Sequence, residues 1–293
     1  MIRCRWMSAW LVLVVGGAVP AAAQQTDSTS PPAVFTRGDA VAAAGIVAAT
    51  AAIHPFDERI ALSLQRPALQ HSAGLRRTAT VFRLLGSPGV LLIGGTFYVV
   101  GRATHTRGLA AAGLHSTEAI VLAEVAGGLL KWTTGRARPF AAGDTLPNDF
   151  EFLRGARKGY AYSSFPSGHT IAAFASAAAL TSEASRSWAH SGWIIGPVLY
   201  GSAGMVGLSR MYNNQHWASD VVFGAGLGTI AGIAVVRYTH DRPRNRVDRW
   251  LLSATITPTA GGHRLAFSIL PASLDPAHRS CCASASTGPR SRP

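Results

Sequence analysis

Apolar and polar segments alternate along the chain, and the apolar ones fall into six runs. They cover residues 40–53, 84–101, 108–130, 169–182, 193–208 and 220–236, and all are rich in Ala, Gly, Val and Leu. None alternates strictly as a half-buried strand does, and most exceed ordinary strand length, so the pattern predicts helices. Apolar residues lie nearly all round each helix, which requires burial in protein or in lipid. Their small residues let neighbouring helices approach closely. The expected fold class is therefore all-α, a bundle of about six apolar helices. A membrane span needs roughly 20 apolar residues, and most of these runs are shorter. A bundle that crosses the bilayer and one that only touches it both remain open.

The flanks differ in character. Residues 1–23 read as an export signal: Arg3 and Arg5, an apolar stretch over 10–19, then Ala21, Ala22 and Ala23 before a cut. An uncleaved first membrane helix is the alternative. Residues 24–38 form an unstructured lead-in and 39–250 the helical domain. Leu252, Ala254 and Ile256, then Leu265, Phe267 and Ile269, alternate around residues 259–262 and predict a β-hairpin within 251–270. Residues 271–293, rich in Ser, Pro and Arg, read as a disordered tail. If the signal is cut and the first three runs all cross, the segment after Leu130 would lie in the cytoplasm. Chemistry outside the cytoplasm then requires a skipped crossing. Arg59, Arg66, Arg76, Arg77 and Arg83 crowd one loop and Arg237 to Arg249 another, so arginine distribution does not fix orientation.

Composition narrows the classes. Of 293 residues, 48% are hydrophobic, too many for a mostly disordered chain. Cys4, Cys281 and Cys282 cannot build a disulfide scaffold or a Cys-based zinc module. A net charge of +13 points to anionic partners: phosphate, acidic lipid or nucleic acid. The charge is dispersed and no recognition module is present, which argues against nucleic acid.

Three segments carry chemistry. The first sets Lys131, Arg136 and Arg138 within eight residues, followed by Pro139. Lysine offers a mobile point charge and arginine a planar fork for two oxyanion oxygens. Taken alone, such residues also form an ordinary basic collar at a helix end. The second is Pro166, Ser167, Gly168 and His169, opening the fourth run. A helix start presents free N–H groups to an anion, and His169 can carry a proton near neutral pH. A capped helix with an incidental histidine fits equally well. The third joins Ser209 and Arg210 to His216 and Asp220. The last two are four apart and would share a helix face, the carboxylate fixing the tautomer of an attacking imidazole. A surface i,i+4 pair is the plainer reading.

Together these segments form K-x6-RP, PSGH and SR-x5-H-x3-D in order and without a mismatch. The pattern resembles the type 2 phosphatidic acid phosphatase and vanadium haloperoxidase superfamily, over roughly residues 84–236. The resemblance implies that His216 attacks phosphorus and forms a phosphohistidine, oriented by Asp220. It implies that His169 protonates the leaving oxygen and later helps activate water. Lys131, Arg138 and Arg210 match the phosphate-binding cations, and Ser167 and Gly168 match groups that bond phosphate oxygens. It implies no metal and no other cofactor, and no His/Cys/Asp/Glu cluster of ligand spacing accompanies the motifs. With one imidazole neutral and the other protonated, activity should be bell-shaped in pH.

The function expected is a metal-independent phosphatase acting on a phosphomonoester, a lipid phosphate or isoprenoid pyrophosphate. The expected location is the cell envelope, with the site outside the cytoplasm. A soluble periplasmic acid phosphatase is one alternative. A vanadium-dependent haloperoxidase is another, in which vanadate is cofactor instead of inhibitor. A non-catalytic protein that keeps the fold ranks last, because no motif residue is missing. Partners expected are a phosphorylated small molecule or lipid and the membrane, and not nucleic acid. Oligomeric state is not readable. Arg136 is expected to be solvated, and Trp217 and Phe165 to serve packing. His115, Glu118 and Glu124 are expected in an internal hydrogen-bond network, a metal pair being the lesser reading. The other seven histidines show no partner in the sequence.

Overall fold

The computed structural model describes residues 36–187, 190–242, 245–259 and 262–267. The expected signal, most of the lead-in and the tail lie outside the described residues. Helix α1 (Arg37–Ile53) opens on a capping box, in which Thr36 Oγ1 accepts from the Asp39 N–H and the Asp39 carboxylate accepts from the Thr36 N–H. The arginine-rich loop expected next is instead helical, as α2 (Asp57–Leu64), α3 (Pro67–Gln70) and α4 (Ala73–Leu84). Its apolar stripe is narrow: Ala79 is buried and Phe82 packs into the core, while Arg76 and Arg77 point outward. A stripe so thin does not register as an apolar run.

Five long helices follow or flank the central connection. After a break at Ser87 and Pro88 comes α5 (Val90–Ala103), then α6 (Arg107–Thr134), which stops at left-handed Gly135. The polar connection holds the short α7 (Arg154–Lys158) and leads to α8 (Gly168–Ser187), α9 (Ser191–Tyr212) and α10 (Ala218–Asp241). Beyond them, α11 (Arg246–Ser253) precedes β1 (Ala254–Thr259) and β2 (Gly262–Phe267), paired antiparallel from Ala254↔Phe267 to Thr259↔Gly262. The six expected runs thus correspond to α1, α5, α6, α8, α9 and α10.

Helix α8 is the hub, packed on α6, α9 and α10. Six of its twelve buried residues are alanine, with Ile171 at the centre of the core. Side chains this small bring backbones together. A Cβ added at Gly228 of α10 would sit 2.4 Å from the Ile171 carbonyl oxygen, and one at Gly232 2.6 Å from that of Ala175. The α8–α10 seam therefore admits no side chain at either position.

Among the described residues, four runs are long and apolar enough to cross a membrane: Arg37–Leu64, Ala73–Ala103, Arg107–Ala141 and Ala218–Asp241. The helices continue past their apolar cores, which is why the sequence runs looked short. Val41, Leu92, Val99 and Val125 project outward from them, a surface that hydrocarbon would accept. The helix directions place the ends of α6 and α9 with the starts of α8 and α10 at one end of the bundle. The connection over 135–167 covers that end.

Candidate active site

The connection is an ordered scaffold. Arg136 is 1% exposed, so the solvated role expected of it is wrong. Its guanidinium donates to Asp220 Oδ1 at 2.5 Å, to Asp57 Oδ2 at 2.8 Å and to the Pro147 carbonyl. Asp57, on α2, also accepts from the Ser219 N–H at 2.8 Å and pairs with His54. A buried arginine bridging two buried carboxylates settles charges that would otherwise be costly to desolvate. This arrangement anchors the start of α10.

Asp220 is fully buried and fully used. It accepts from Arg136, from Ser164 Oγ and from the Trp217 N–H at 2.9 Å. The shared helix face expected for His216 and Asp220 does not form, because His216 precedes α10 and the carboxylate reaches back to cap the helix. The nearest partner of His216 Nδ1 is the Ser164 carbonyl, at 2.8 Å, with Asp220 Oδ2 at 3.5 Å. A carbonyl can only accept, so Nδ1 carries the proton and Nε2 keeps its lone pair. Arg138 Nη1 stands 3.4 Å from that Nε2.

The remaining predicted residues converge here. Arg138 is held by the carbonyls of Tyr160, Ser163 and Gln215, with the Tyr160 ring 3.8 Å from its guanidinium carbon. Arg210, at the end of α9, is buried, lies against Tyr160, and its Nε has no hydrogen-bond partner. Ser167 Oγ accepts from Thr170, which leaves its own proton free to donate. Lys131 Nζ lies 2.5 Å from where a Cβ on Gly168 would be, so a side chain there would displace the ammonium from the start of α8. The Glu124 carboxylate borders the same spot at 3.2 Å, which separates it from the network expected with His115. His169 faces Arg210, Lys131, Arg83 and Arg138. Arg83 comes from α4, outside every motif, and no sequence signal marked it. Trp217 and Phe165 pack as expected, Trp217 Nε1 bonding the Ala137 carbonyl and Phe165 lying against Phe223. His54 and His240, read as partnerless, bond Asp57 and Glu183.

Burial pushes His216 down to about 3, with Asp220 offsetting only part of the loss. Burial and then the cations push His169 down to about 4. The site thus suits a neutral imidazole that attacks and a set of preorganised positive charges around a tetrahedral oxyanion. It leaves His169 short of a proton until an anion offsets the cations. The pH dependences should therefore split. In the free site, protonated His169 falls away as pH rises above about 4, so kcat/KM should peak in acid. Bound phosphate raises the His169 pKa, so the alkaline limb of kcat should lie at higher pH. Superimposable kcat and kcat/KM profiles would contradict this coupling.

Comparison with known proteins agrees with this geometry. Residues 112–244 match the PAP2 superfamily. The chain is 44% identical over 84 residues to a lipid A 1-phosphatase of Porphyromonas gingivalis, a match covering 28% of this chain and 18% of that protein. The chain therefore spans under a fifth of that relative's length in the match. The crystal structure of a transmembrane PAP2-type phosphatidylglycerolphosphate phosphatase from Bacillus subtilis superposes with a TM-score of 0.52 at 21% identity, over 72% of this chain and 99% of that one. It shares the fold. The PAP2 superfamily match takes in all three motifs, from Lys131 to Asp220.

Proposed function

We propose that this protein is a membrane lipid phosphatase that works through a phosphohistidine at His216. The observation that carries the reading is the unprotonated Nε2 of His216, beside Arg138 and within a cation set in which Arg210 Nε is buried without a hydrogen-bond partner among the described residues. A phosphate oxygen would satisfy that donor. Nε2 attacks phosphorus as the bond to the leaving oxygen breaks, and that oxygen takes a proton from His169. Water, deprotonated by His169, then attacks the phosphohistidine and frees His216. Lys131, Arg138 and Arg210 balance charge on the equatorial oxygens throughout. No metal takes part in these steps. Vanadate, a mimic of the five-coordinate state, should inhibit.

A lipid substrate fits the surroundings. A cavity of about 390 Å³ lies between α1 and the start of α10, lined by Val47, Ala51, Phe150, Phe165 and Phe223 beside Arg136. It offers apolar room for an acyl chain next to the polar site. The named relatives are lipid phosphatases, and the outward apolar faces argue against the soluble acid phosphatase reading. The test is a substrate panel on purified protein: phosphatidate, phosphatidylglycerol phosphate, lipid A, undecaprenyl pyrophosphate and p-nitrophenyl phosphate. At least one lipid should be turned over on the order of a hundredfold faster in kcat/KM than the nitrophenyl ester, about 2.7 kcal/mol of binding used in the transition state. Equal or greater activity on the nitrophenyl ester would remove the lipid assignment. Bromide oxidation with vanadate and peroxide would favour the haloperoxidase reading instead.

The proposal also places the site outside the cytoplasm, which with a cut signal requires that one of the three apolar runs before the connection does not cross. Leu146 lies exposed in the connection over the site. With Cys4, Cys281 and Cys282 changed to serine, Leu146→Cys should react with an impermeant maleimide on intact cells. Labelling only after lysis would reverse the orientation.

A further inference from the structure

The other end of the bundle holds a second group of ionisable side chains that the phosphatase chemistry does not use. His115 stands near the start of α6, Glu183 near the end of α8, His240 at the end of α10 and Asp248 on α11. His115 and Lys131 are sixteen residues apart on one helix, about 24 Å at 1.5 Å per residue, so this group is remote from phosphate. Ionisable groups buried in an apolar bundle are costly, and their presence asks for a use.

We propose that His115, Glu183 and His240 bind one divalent transition-metal ion of the zinc class, with Asp248 as the residue that positions His115. His115 Nδ1 lies 2.6 Å and His240 Nε2 2.9 Å from the same oxygen, Glu183 Oε1. All three donor atoms lie within 4.8 Å of one another. A tetrahedral ion with bonds near 2.1 Å holds its ligand atoms about 3.4 Å apart, so the donors need move by less than about 1 Å. The two imidazole rings meet edge to face, at 78° and 5.9 Å between centroids, as two ligands converging on one point do. Two nitrogens and one carboxylate favour zinc, cobalt or nickel over the oxygen-seeking calcium and magnesium.

The surroundings match a metal-bound histidine. The ring nitrogen that would not bind the ion, His115 Nε2, is 3.3 Å from Asp248 Oδ2. A carboxylate on the far nitrogen is the usual device that fixes the tautomer of a ligating histidine. The second oxygen of Asp248 is buried without a hydrogen-bond partner among the described residues. Glu118 lies within the same reach of His115 and Asp248, adding negative charge that favours a cation. In the metal-free state the histidine protons satisfy Glu183. Binding replaces them with the ion and releases protons, so affinity should rise with pH. The ion would tie α6, α8 and α10, and through Asp248 also α11, at one point.

The experiment uses the full chain, purified in detergent without a histidine tag, stripped with chelator and titrated with Co2+ and Zn2+. The expected result is one ion per chain, a ligand-field absorption band for Co2+, and a higher melting temperature with Zn2+. His240 is the most accessible ligand, its side chain 37% exposed, so His240→Ala should fold and lose at least about a hundredfold in affinity. Asp248→Asn should lose about 10- to 100-fold, as removal of an orienting carboxylate does. His216→Ala should bind as the parent does, which separates this site from the phosphatase reading. No stoichiometric ion on the parent chain, or undiminished affinity in His240→Ala, would overturn the proposal.

Discussion

Replacing His216 by alanine is expected to lower turnover by at least about a thousandfold while the bundle stays folded. The change removes the nucleophilic Nε2 and leaves the scaffold intact. Asp220 would still be held by Arg136, Ser164 and the Trp217 N–H, so no buried charge is abandoned. Reactions with radiolabelled substrate, quenched in alkaline detergent because a phosphohistidine is lost in acid, should trap phosphate on the parent protein and none on the variant. A folded variant that keeps a tenth of parental turnover would exclude His216 as covalent nucleophile. His169→Ala should behave differently. It loses the proton donor but keeps the attacking group, so a substrate with a good leaving group should recover most of the phosphoryl-transfer step.

Arg136→Met is expected to produce the largest loss of stability of any single change near the site. It removes one cation from between Asp57 and Asp220, both fully buried. Breaking a buried pair by removing one partner costs on the order of 3–5 kcal/mol, because the remaining charge has no solvent. Here two carboxylates are left. The melting temperature in detergent should fall sharply, and Asp57→Asn in the Arg136→Met background should recover part of it. A variant that melts with the parent would mean that water or a neighbouring group already compensates these acids. Arg138→Met should contrast with it, since Arg138 bonds carbonyls and Gln215 and compensates no carboxylate directly. Its main effect should be on phosphate affinity.

The motifs made the candidate site residues readable because the proposed chemistry needs particular side chains at fixed spacings. His216, His169, Arg138 and Arg210 meet as that spacing implied. What supports them was not readable, because the support comes from far along the chain. Arg136 finds its acids 79 and 84 positions away. Nothing local distinguishes it from a solvated neighbour of Arg138. The tautomer of His216 is set by a backbone carbonyl, and every residue has one. The bundle was legible from apolar runs where helices are apolar nearly all round. It was not legible over α2 to α4, whose arginines outnumber a thin buried stripe. The cluster at His115 was glimpsed from one helix only, since Glu183, His240 and Asp248 each sit on a different element.

Asp57 lies on α2, ahead of the segment that matches the superfamily. The catalytic module therefore borrows a counter-ion from upstream sequence. Chimeras that graft this front segment onto a related enzyme, or trim it away, should succeed only if the replacement brings an acid to the same spot. Shuffling experiments aimed at new lipid specificity would do well to place their junctions before α2.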